Sequence, residues 1–279
     1  MSDRIALHTL AADACGLATD GLVPAANYSR FKYGDGQVSM TFGRALADRF
    51  NEIVDPRPGE RIFVTSSGYG AVPPAARSLV APFVARMRSL APSVQLQPLR
   101  VHRLGVSPGD YAAMDLEARA QAVGAKSMHV DPRIDVAGAR VVALDDIRVT
   151  GTHELAMDGC LNEAGASWID HLYVIDAHAA AGRPTLESDL NEVAASSVAD
   201  LLAIADSPRF VPNARLAKRI VSSSAHEQEA FLRGVPVSVR AWLLDAAERD
   251  GLAHVPAYAT GLRRLRLVSA RLDRAAATA

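Results

Sequence analysis

Two acidic residues stand side by side at the end of an apolar run in the stretch VVALDDIRVTGTHE, Val141 to Glu154. Asp145 and Asp146 are followed, four residues after the second acid, by Thr-Gly-Thr. Carboxylates accept hydrogen bonds from sugar hydroxyls, and a glycine-bearing helix N-terminus offers backbone N–H groups to an anion. A ribose 5-phosphate has both kinds of group, and a bound Mg²⁺ would offset remaining negative charge.

The segments around this stretch alternate between strand and helix patterns. ARVVALDD has the near-continuous apolar run of a strand buried on both faces. THELAMDGCLNEAGA follows as a helix and SWIDHLYVIDAH as the next strand, while RIFVTSSGYG is an earlier strand that runs into a loop. The alternation predicts a parallel sheet with helices on both faces, whose carboxyl edge binds ligands.

The remaining segments have weaker signals. We predict, in chain order, a helix and an irregular stretch over residues 1–26, a loop or short hairpin over Asn27–Met40, a helix over Thr41–Val54, a strand over Ser93–Arg103, and a short helix over Asp115–Val123 inside a polar stretch. After about residue 190 the pattern is helical, with a capping box from Ser224 to Glu227 and a C-cap at Gly251.

Composition excludes several classes of protein. Of the 279 residues 49% are apolar and 22% charged, and the net charge is −1, so neither a nucleic-acid nor an anionic-membrane partner is expected. No apolar run is long enough for a membrane span, and the acidic N-terminus lacks a signal-peptide core. Two cysteines are too few for a disulfide framework, which favours a cytoplasmic protein. The His spacing predicts no zinc site.

The residues VVALDDIRVTGTH resemble the motif with which type I phosphoribosyltransferases bind 5-phosphoribosyl 1-diphosphate (PRPP). The spacing is most similar to that of the orotate enzymes. The resemblance implies that Asp145 and Asp146 are the catalytic pair that holds the ribose hydroxyls. It also implies that the 5-phosphate is bound along the following turn, with Arg148 either at the ligand or in solvent and His153 acting through its backbone or its ring. The turn comprises Arg148, Val149, Thr150, Gly151, Thr152 and His153.

A second segment, FVTSSGYGAVPPAA, resembles the pyrophosphate loop of the same family. The resemblance assigns pyrophosphate binding to Ser66, Ser67, Gly68 and Tyr69, and to Arg100 and Arg103 further along the chain. Many members carry Lys or Arg in this loop, whereas this chain has Ser, so the charge of pyrophosphate must be met elsewhere. The polar stretch 104–128 falls where the family has a flexible catalytic loop that closes over the site.

The segment NYSRFKYGDG would lie in the hood over the acceptor base. Tyr28, Phe31, Lys32 and Tyr33 either stack on a flat acceptor or form a surface hairpin with one aromatic face packed. One departure concerns Val149, because purine enzymes have at this place an acid that acts as base toward the purine. A purine-salvage substrate is therefore not favoured.

These observations predict an α/β fold with a type I phosphoribosyltransferase-like parallel sheet, a small hood and a helical C-terminal extension. Residues 1–190 form the first part and residues 191–279 the second. The expected function is transfer of phosphoribosyl from PRPP to a nucleobase-like or other nitrogen nucleophile, with Mg²⁺ as cofactor. The alternative is a non-catalytic PRPP- or nucleotide-binding regulator. We expect a homodimer, and YSRFKYG with DDIRVTGTHE is similar to phosphoribosyltransferase-like proteins of tellurium-resistance-type stress gene clusters.

Overall fold

The computed structural model describes residues 2–12, 21–104, 128–183 and 185–277. Five parallel strands form one sheet, and two short antiparallel strands form another. The strands are β1 (Ser2–Thr9), β2 (Arg61–Ser66), β3 (Gln95–Pro98), β4 (Val101–Arg103), β5 (Met128–Val130), β6 (Arg140–Arg148) and β7 (Trp168–Asp176). The order in the large sheet is β1-β7-β6-β2-β3, so β6 lies at its centre.

Helices cover the sheet and continue to the end of the described chain. Among the described residues, three helices precede β3, one lies between β6 and β7, and the others follow β7. They are α1 (Ala25–Lys32), α2 (Gly36–Val54), α3 (Val80–Leu90), α4 (Thr152–Glu163), α5 (Leu186–Glu192), α6 (Val198–Ala205), α7 (Ala214–Ser222), α8 (Ala225–Gly234), α9 (Val237–Arg249) and α10 (Pro256–Ala277). The parallel sheet flanked by helices and the helical C-terminal extension are thus as predicted from the sequence.

The central strand β6 directs its side chains alternately to two hydrophobic clusters, because successive residues of a strand point to opposite faces. Val142 and Leu144 lie in the cluster that contains α1, α2 and α3, and Val141 and Ala143 lie in the cluster that contains α4. The alternation continues past the apolar run. The two acids that end it therefore face opposite sides of the sheet.

The predicted N-terminal helix is wrong. Ser2–Thr9 forms β1, which pairs in parallel with β7 along most of its length. The pairing places Ile5 opposite Leu172, and Ile5 is buried. Long-range pairing with a buried strand therefore decides the conformation of this segment, against its local pattern.

The predicted loop or hairpin over Asn27–Met40 is also wrong. The segment contains most of α1, a short turn and the start of α2. The turn uses Gly34 at φ 105°, and the Asp35 side chain accepts hydrogen bonds from the backbone N–H groups of Gln37 and Val38. An N-cap therefore begins α2 at the position where the sequence pattern predicts a loop or a hairpin turn.

The predicted single strand over Ser93–Arg103 is two strands. β3 pairs in parallel with β2, whereas β4 pairs in antiparallel with β5. The capping box at Ser224 and the left-handed Gly251 after α9 agree with the sequence analysis. The predicted helix Asp115–Val123, the interior of the polar stretch 104–128 and Cys15 lie outside the described residues.

The C-terminal extension has its own hydrophobic cluster, which also takes in Tyr33 from the α1–α2 turn. Backbone hydrogen bonds join the two parts, from Val211 N–H to Gly34 O at 2.8 Å and from Ala214 N–H to Pro73 O at 3.0 Å. The predicted boundary at residue 190 falls inside α5, and the division into two parts stays a prediction. None of the helices in the described part of the chain has the length and apolar character of a membrane span.

Gly261 allows α10 to pack closely on the end of α7. A Cβ at this position would lie 1.8 Å from the backbone oxygen of Val221. Ala in place of Gly stabilises an isolated helix by about 1 kcal/mol, but overpacking costs about 1–3 kcal/mol. Because the added Cβ meets backbone, the cost lies at the upper end of this range, and we expect Gly261→Ala to lower the free energy of unfolding by a net amount of about 2 kcal/mol in urea titrations. Gly182→Ala is the control, because nothing described lies within 4 Å of its added Cβ. A Gly261→Ala protein as stable as the parent would contradict this packing.

Candidate functional site

A cleft of about 410 Å³ lies between the carboxyl edge of the sheet and the C-terminal extension. Its floor includes both acids of β6 together with the start of the loop after β2 and the first turn of α4. Its opposite wall is formed by α5, α7 and α10. The position agrees with the rule that parallel sheets bind ligands beyond the carboxyl ends of their strands, and the volume suits a small-molecule ligand.

Asp145 faces the α4 side of the cleft. Its Oδ1 accepts a hydrogen bond from Ser67 Oγ at 2.7 Å and one from the backbone N–H of Asp146 at 2.9 Å. Its Oδ2 lies 3.8 Å from His153 Nε2. Burial raises the pKa of Asp145 to about 8, and the charge of Asp146 adds to the rise. Hydrogen-bond donors on a ligand would favour the ionised form.

His153 is neutral at physiological pH. Burial lowers the pKa of His153 to about 4, and the positive charge of Arg103 acts in the same direction. Its Nε2 is buried and has no hydrogen-bond partner among the described residues. The ring therefore contributes no charge to the cleft, although it stands next to an acidic group.

Asp146 points to the other face and belongs to a row of alternating charges. Its Oδ2 accepts a short hydrogen bond from Lys32 Nζ, and the same Nζ lies 3.3 Å from Glu187 Oε1. Glu187 Oε1 is in turn 3.4 Å from Arg215 Nη2. Burial alone would raise the pKa of Asp146, but the charge of Lys32 outweighs it and holds the pKa below its usual range. Asp146 is therefore ionised, unlike its neighbour in the sequence.

The Thr-Gly-Thr turn begins α4 and has the form of an anion cradle. Gly151 is at φ 77°, a left-handed conformation that favours glycine. The hydroxyl groups of Thr150 and Thr152 form a hydrogen bond of 3.0 Å. A second, smaller cavity of about 40 Å³ lies beside the turn. Since α4 begins at Thr152, the N–H groups of its first turn lack partners within the helix and can bind a phosphate.

Arg148 lies beneath this turn and forms ion pairs within the protein. Its Nε is 3.0 Å from Glu154 Oε2, and its Nη1 is 3.4 Å from Asp176. The other oxygen of Glu154 accepts hydrogen bonds from Arg4, and Tyr173 donates to Oε2 at 2.7 Å. Burial alone would raise the pKa of Glu154, but the hydrogen bonds from Arg4 and Tyr173 lower it to about 2. These ion pairs connect Arg148, just before the turn, to Glu154 on α4 and Asp176 on β7, and so hold the turn in place.

The loop after β2 brings part of the predicted pyrophosphate site to the cleft. Ser67 and Gly68 line it, and Ser66 is buried at the end of the strand. Tyr69 is not among the lining residues, and its backbone is held between Val101 and Arg103 by hydrogen bonds of 3.2 and 3.1 Å.

The two predicted arginines have different positions. Arg103 lines the cleft. Arg100 is exposed, with its guanidinium 4.5 Å from the centre of the Tyr69 ring and hydrogen-bonded to the Gly70 carbonyl oxygen. Of this pair, only Arg103 is placed to reach a ligand.

The predicted acceptor residues are also divided. Tyr28 and Phe31 are fully buried in the core, so neither is on a surface where it could stack on a flat acceptor. The Tyr28 ring packs on Phe31, and the Phe31 ring packs on Phe42. Lys32 and Tyr33 do line the cleft, where Lys32 holds Asp146. The reason is the helical conformation of α1, which turns its aromatic side chains to the sheet.

Sequence reasoning missed the basic face of α7. Arg215, Lys218 and Arg219 line the cleft, together with Ser222 one turn later. The last three of these residues follow Arg215 by three, four and seven positions, which places all four on one side of a helix. The segment RFVPNARLAKRIV contains that spacing, and the loop after β2 lacks a basic residue. These two signals together could have indicated the face.

The PRTase ComF-like family, in which PRTase stands for phosphoribosyltransferase, has a family model that matches residues 1–265. Comparison with curated proteins gives no match.

Among solved structures, the chain is similar to a hypoxanthine phosphoribosyltransferase from Trypanosoma cruzi in complex with its product IMP, with a TM-score of 0.35 and 11% identity. That match covers 52% of this chain and 66% of the other. A hypoxanthine phosphoribosyltransferase from Staphylococcus aureus gives a TM-score of 0.31 and 12% identity over 51% of this chain and 65% of its own.

The Glu154 network predicts a pH-dependent stability. Because the pKa of Glu154 is lowered from 4.5 to about 2 on folding, its ion pairs stabilise the protein fully above pH 4.5. That contribution is lost as the pH falls toward 2. We expect Glu154→Gln to lower the free energy of unfolding by about 3 kcal/mol at pH 7, and the difference from the parent to shrink below pH 4.5.

Urea titrations at several pH values measure this difference. Glu229→Gln is the matched control, because Glu229 also pairs with two arginines, Arg233 and Arg271, but on the surface. We expect little change in that variant. Equal losses in both variants, or a loss in Glu154→Gln that does not depend on pH, would contradict the role given to burial.

Proposed function

The chain belongs to the ComF-like family of phosphoribosyltransferases, and we propose that it transfers the 5-phosphoribosyl group of PRPP to a nucleobase-like or other nitrogen nucleophile, with release of pyrophosphate. One observation carries the proposal. The two acids that end β6 and the Gly151 turn that begins α4 border adjoining cavities, with Asp145 and His153 lining both. Groups that can bind sugar hydroxyls and groups that can bind a phosphate thus line neighbouring cavities, which supports a ribose 5-phosphate as the ligand.

The residues of the cleft support the steps of this reaction. Departure of pyrophosphate leaves an oxocarbenium-like centre on the ribose, so the protein has to hold the sugar, neutralise the leaving group and keep water out. Asp145 accepts hydrogen bonds from ribose hydroxyls. The turn from Thr150 to His153 binds the 5-phosphate through backbone N–H groups and Thr hydroxyls. Residues of α5, α7 and α10 form the wall of the cleft opposite these groups.

Mg²⁺ is the cofactor that the family implies. Mg²⁺ binds through one or two carboxylates, waters and substrate phosphates. In the described ranges no group of three or more His, Cys, Asp or Glu side chains is arranged to hold a metal by itself. Asp145 fits the substrate-assisted mode, whereas one oxygen of Asp146 is already held by Lys32. A bound Mg²⁺ would offset the charge of the diphosphate.

A second candidate function is a non-catalytic PRPP- or nucleotide-binding regulator on the same fold. Two observations favour it. The loop Ser66–Tyr69 has no basic residue, and the buried Val149 stands where purine enzymes have a catalytic acid. The acceptor, the homodimer and the tellurium-resistance subgroup stay predictions under either function.

PRPP with Mg²⁺ is expected to stabilise the protein, because a ligand that binds only the folded state shifts the unfolding equilibrium by mass action. At a concentration ~100 times its dissociation constant the gain is about 2.7 kcal/mol. Asp145→Asn should abolish most of this thermal shift and leave the stability of the free protein nearly unchanged, since Asn still accepts from Ser67 and Asp146 N–H. Asp146→Asn should instead destabilise the free protein by about 3 kcal/mol, because buried Lys32 then has Glu187 as its acidic neighbour, and Glu187 also pairs with Arg215.

Differential scanning fluorimetry of the parent and the two variants measures both effects. Asp158→Asn is the control, because Asp158 is on α4 but pairs with His171 rather than lining the cleft. A parent protein that does not respond to millimolar PRPP with Mg²⁺ would refute binding of PRPP. An Asp145→Asn variant that responds like the parent would refute the role of that carboxylate.

Release of pyrophosphate separates the enzyme from the regulator. We expect release from PRPP with at least one member of a panel of nucleobases and related nitrogen heterocycles, and loss of that release in Asp145→Asn. A coupled phosphate assay with inorganic pyrophosphatase measures it. Binding of PRPP without release for any acceptor would favour the regulator.

A further inference from the structure

The loop after β2 contains no positive charge of its own. From Ser66 to Gly70 it has Ser, Gly and Tyr only. The proposed substrate, on which this inference rests, carries a diphosphate with several negative charges. Of the two arginines near the loop, Arg100 is turned to the Tyr69 ring and exposed, which leaves Arg103 in the cleft. Besides a bound Mg²⁺, Arg103 is then the one cation of this pair that is placed to reach the diphosphate.

The basic face of α7 lies across the cleft from this loop. The first residue of α7, Ala214, donates its N–H to Pro73 O at 3.0 Å, so the helix begins where the loop after β2 ends. Pro74 and Ala75 line the same cleft as Ser67, Gly68 and the α7 residues. The helix is therefore anchored to the segment that needs a counter-charge.

The three basic residues of this face differ in their neighbours. Arg215 pairs with Glu187 on the side of Asp146. Arg219 lies 3.9 Å from Glu227 and donates to Ser196 O at 3.4 Å, toward the edge of the extension. Both of these residues therefore have an acidic neighbour within the protein.

Lys218 is the member whose charge acts on Asp250, the residue that holds the loop after β2. Asp250, which follows α9, accepts hydrogen bonds on Oδ1 from the N–H groups of Ala71 and Val72 at 3.1 and 2.9 Å. Burial raises the pKa of Asp250, and the positive charge of Lys218 opposes the rise. Lys218 lines the cleft together with Ser67 and Gly68, about one turn into the helix that is anchored at Pro73.

We propose that Lys218 binds the diphosphate of PRPP, opposite Ser67 and Gly68, and that the C-terminal extension thereby supplies a cation that the loop lacks. An ammonium group is suited to this task because it is a compact charge on a flexible stem with three donors. The simpler alternative is that Lys218 only balances the charge of Asp250. The two roles differ in their effect on ligands that contain a diphosphate.

Isothermal titration calorimetry of the full chain tests the proposal with three probes, each with Mg²⁺: PRPP, inorganic pyrophosphate and ribose 5-phosphate. We expect Lys218→Ala to weaken PRPP and pyrophosphate roughly tenfold to a hundredfold, as for loss of a charged hydrogen bond, and to leave ribose 5-phosphate unchanged. Lys218→Arg should retain most of the affinity. Arg233→Ala removes the same charge from the exposed surface of α8, outside the cleft, and should bind all three probes like the parent.

A double variant, Lys218→Ala with Asp250→Asn, separates the two roles. If Lys218 only balances Asp250, removal of both charges restores the affinity for pyrophosphate, which overturns the proposal. If Lys218 binds the diphosphate, the double variant stays weak. Parental binding of pyrophosphate by Lys218→Ala, equal losses for ribose 5-phosphate, or a parent that does not bind pyrophosphate would each overturn it. A parent that does not bind PRPP refutes the proposed function itself.

Discussion

The structure depends on how the charge of Asp146 is compensated at the end of a strand that is buried on both faces. A buried carboxylate without a partner costs several kcal/mol, which is a large part of the 5–15 kcal/mol by which a folded domain is stable. Lys32 supplies the counter-charge, but it is itself buried and needs a second acid. Glu187 supplies that acid at 3.3 Å, and Arg215 follows at 3.4 Å. Each charged side chain of this row can be buried because the next one in the row carries the opposite charge.

This row of charges explains why the extension is part of the site. Its four members come from β6, α1, α5 and α7, so it runs from the centre of the sheet into the C-terminal helices. The backbone of the extension also approaches the start of α2 closely, since a Cβ at Gly36 would lie 1.7 Å from the carbonyl oxygen of Arg209. Asp250 binds the loop after β2 from the other side. The extension is therefore one wall of the cleft, and the sheet provides the other.

The sequence predicted the local features of the site and failed where distant segments decide. The strand with its two acids and the turn at Gly151 are coded within a dozen residues, so their pattern sufficed. β1 was mistaken for a helix because its conformation depends on pairing with β7, far along the chain. The local pattern predicts a surface position for Tyr28 and Phe31. Their spacing with Lys32, at i, i+3 and i+4, is nevertheless that of one helix face. The basic face of α7 could be seen as a pattern, but its partner across the cleft could not.

The buried side chain of Asn213 connects α1 to α7, which lie on opposite walls of the cleft. Its Nδ2 donates to the backbone oxygen of Lys32 at 3.2 Å, and its Oδ1 accepts from the N–H groups of Arg215 and Leu216. The same buried amide thus caps α7 and holds the residue that neutralises Asp146. Lys32 is bound to Asp146 on one wall of the cleft, and α7 carries the basic residues of the other wall. Asn213 therefore connects the two walls directly. The separation of acidic and basic groups is therefore a property of the folded chain that exists before any ligand binds, which is the kind of preorganisation that the proposed transfer of a phosphoribosyl group would use.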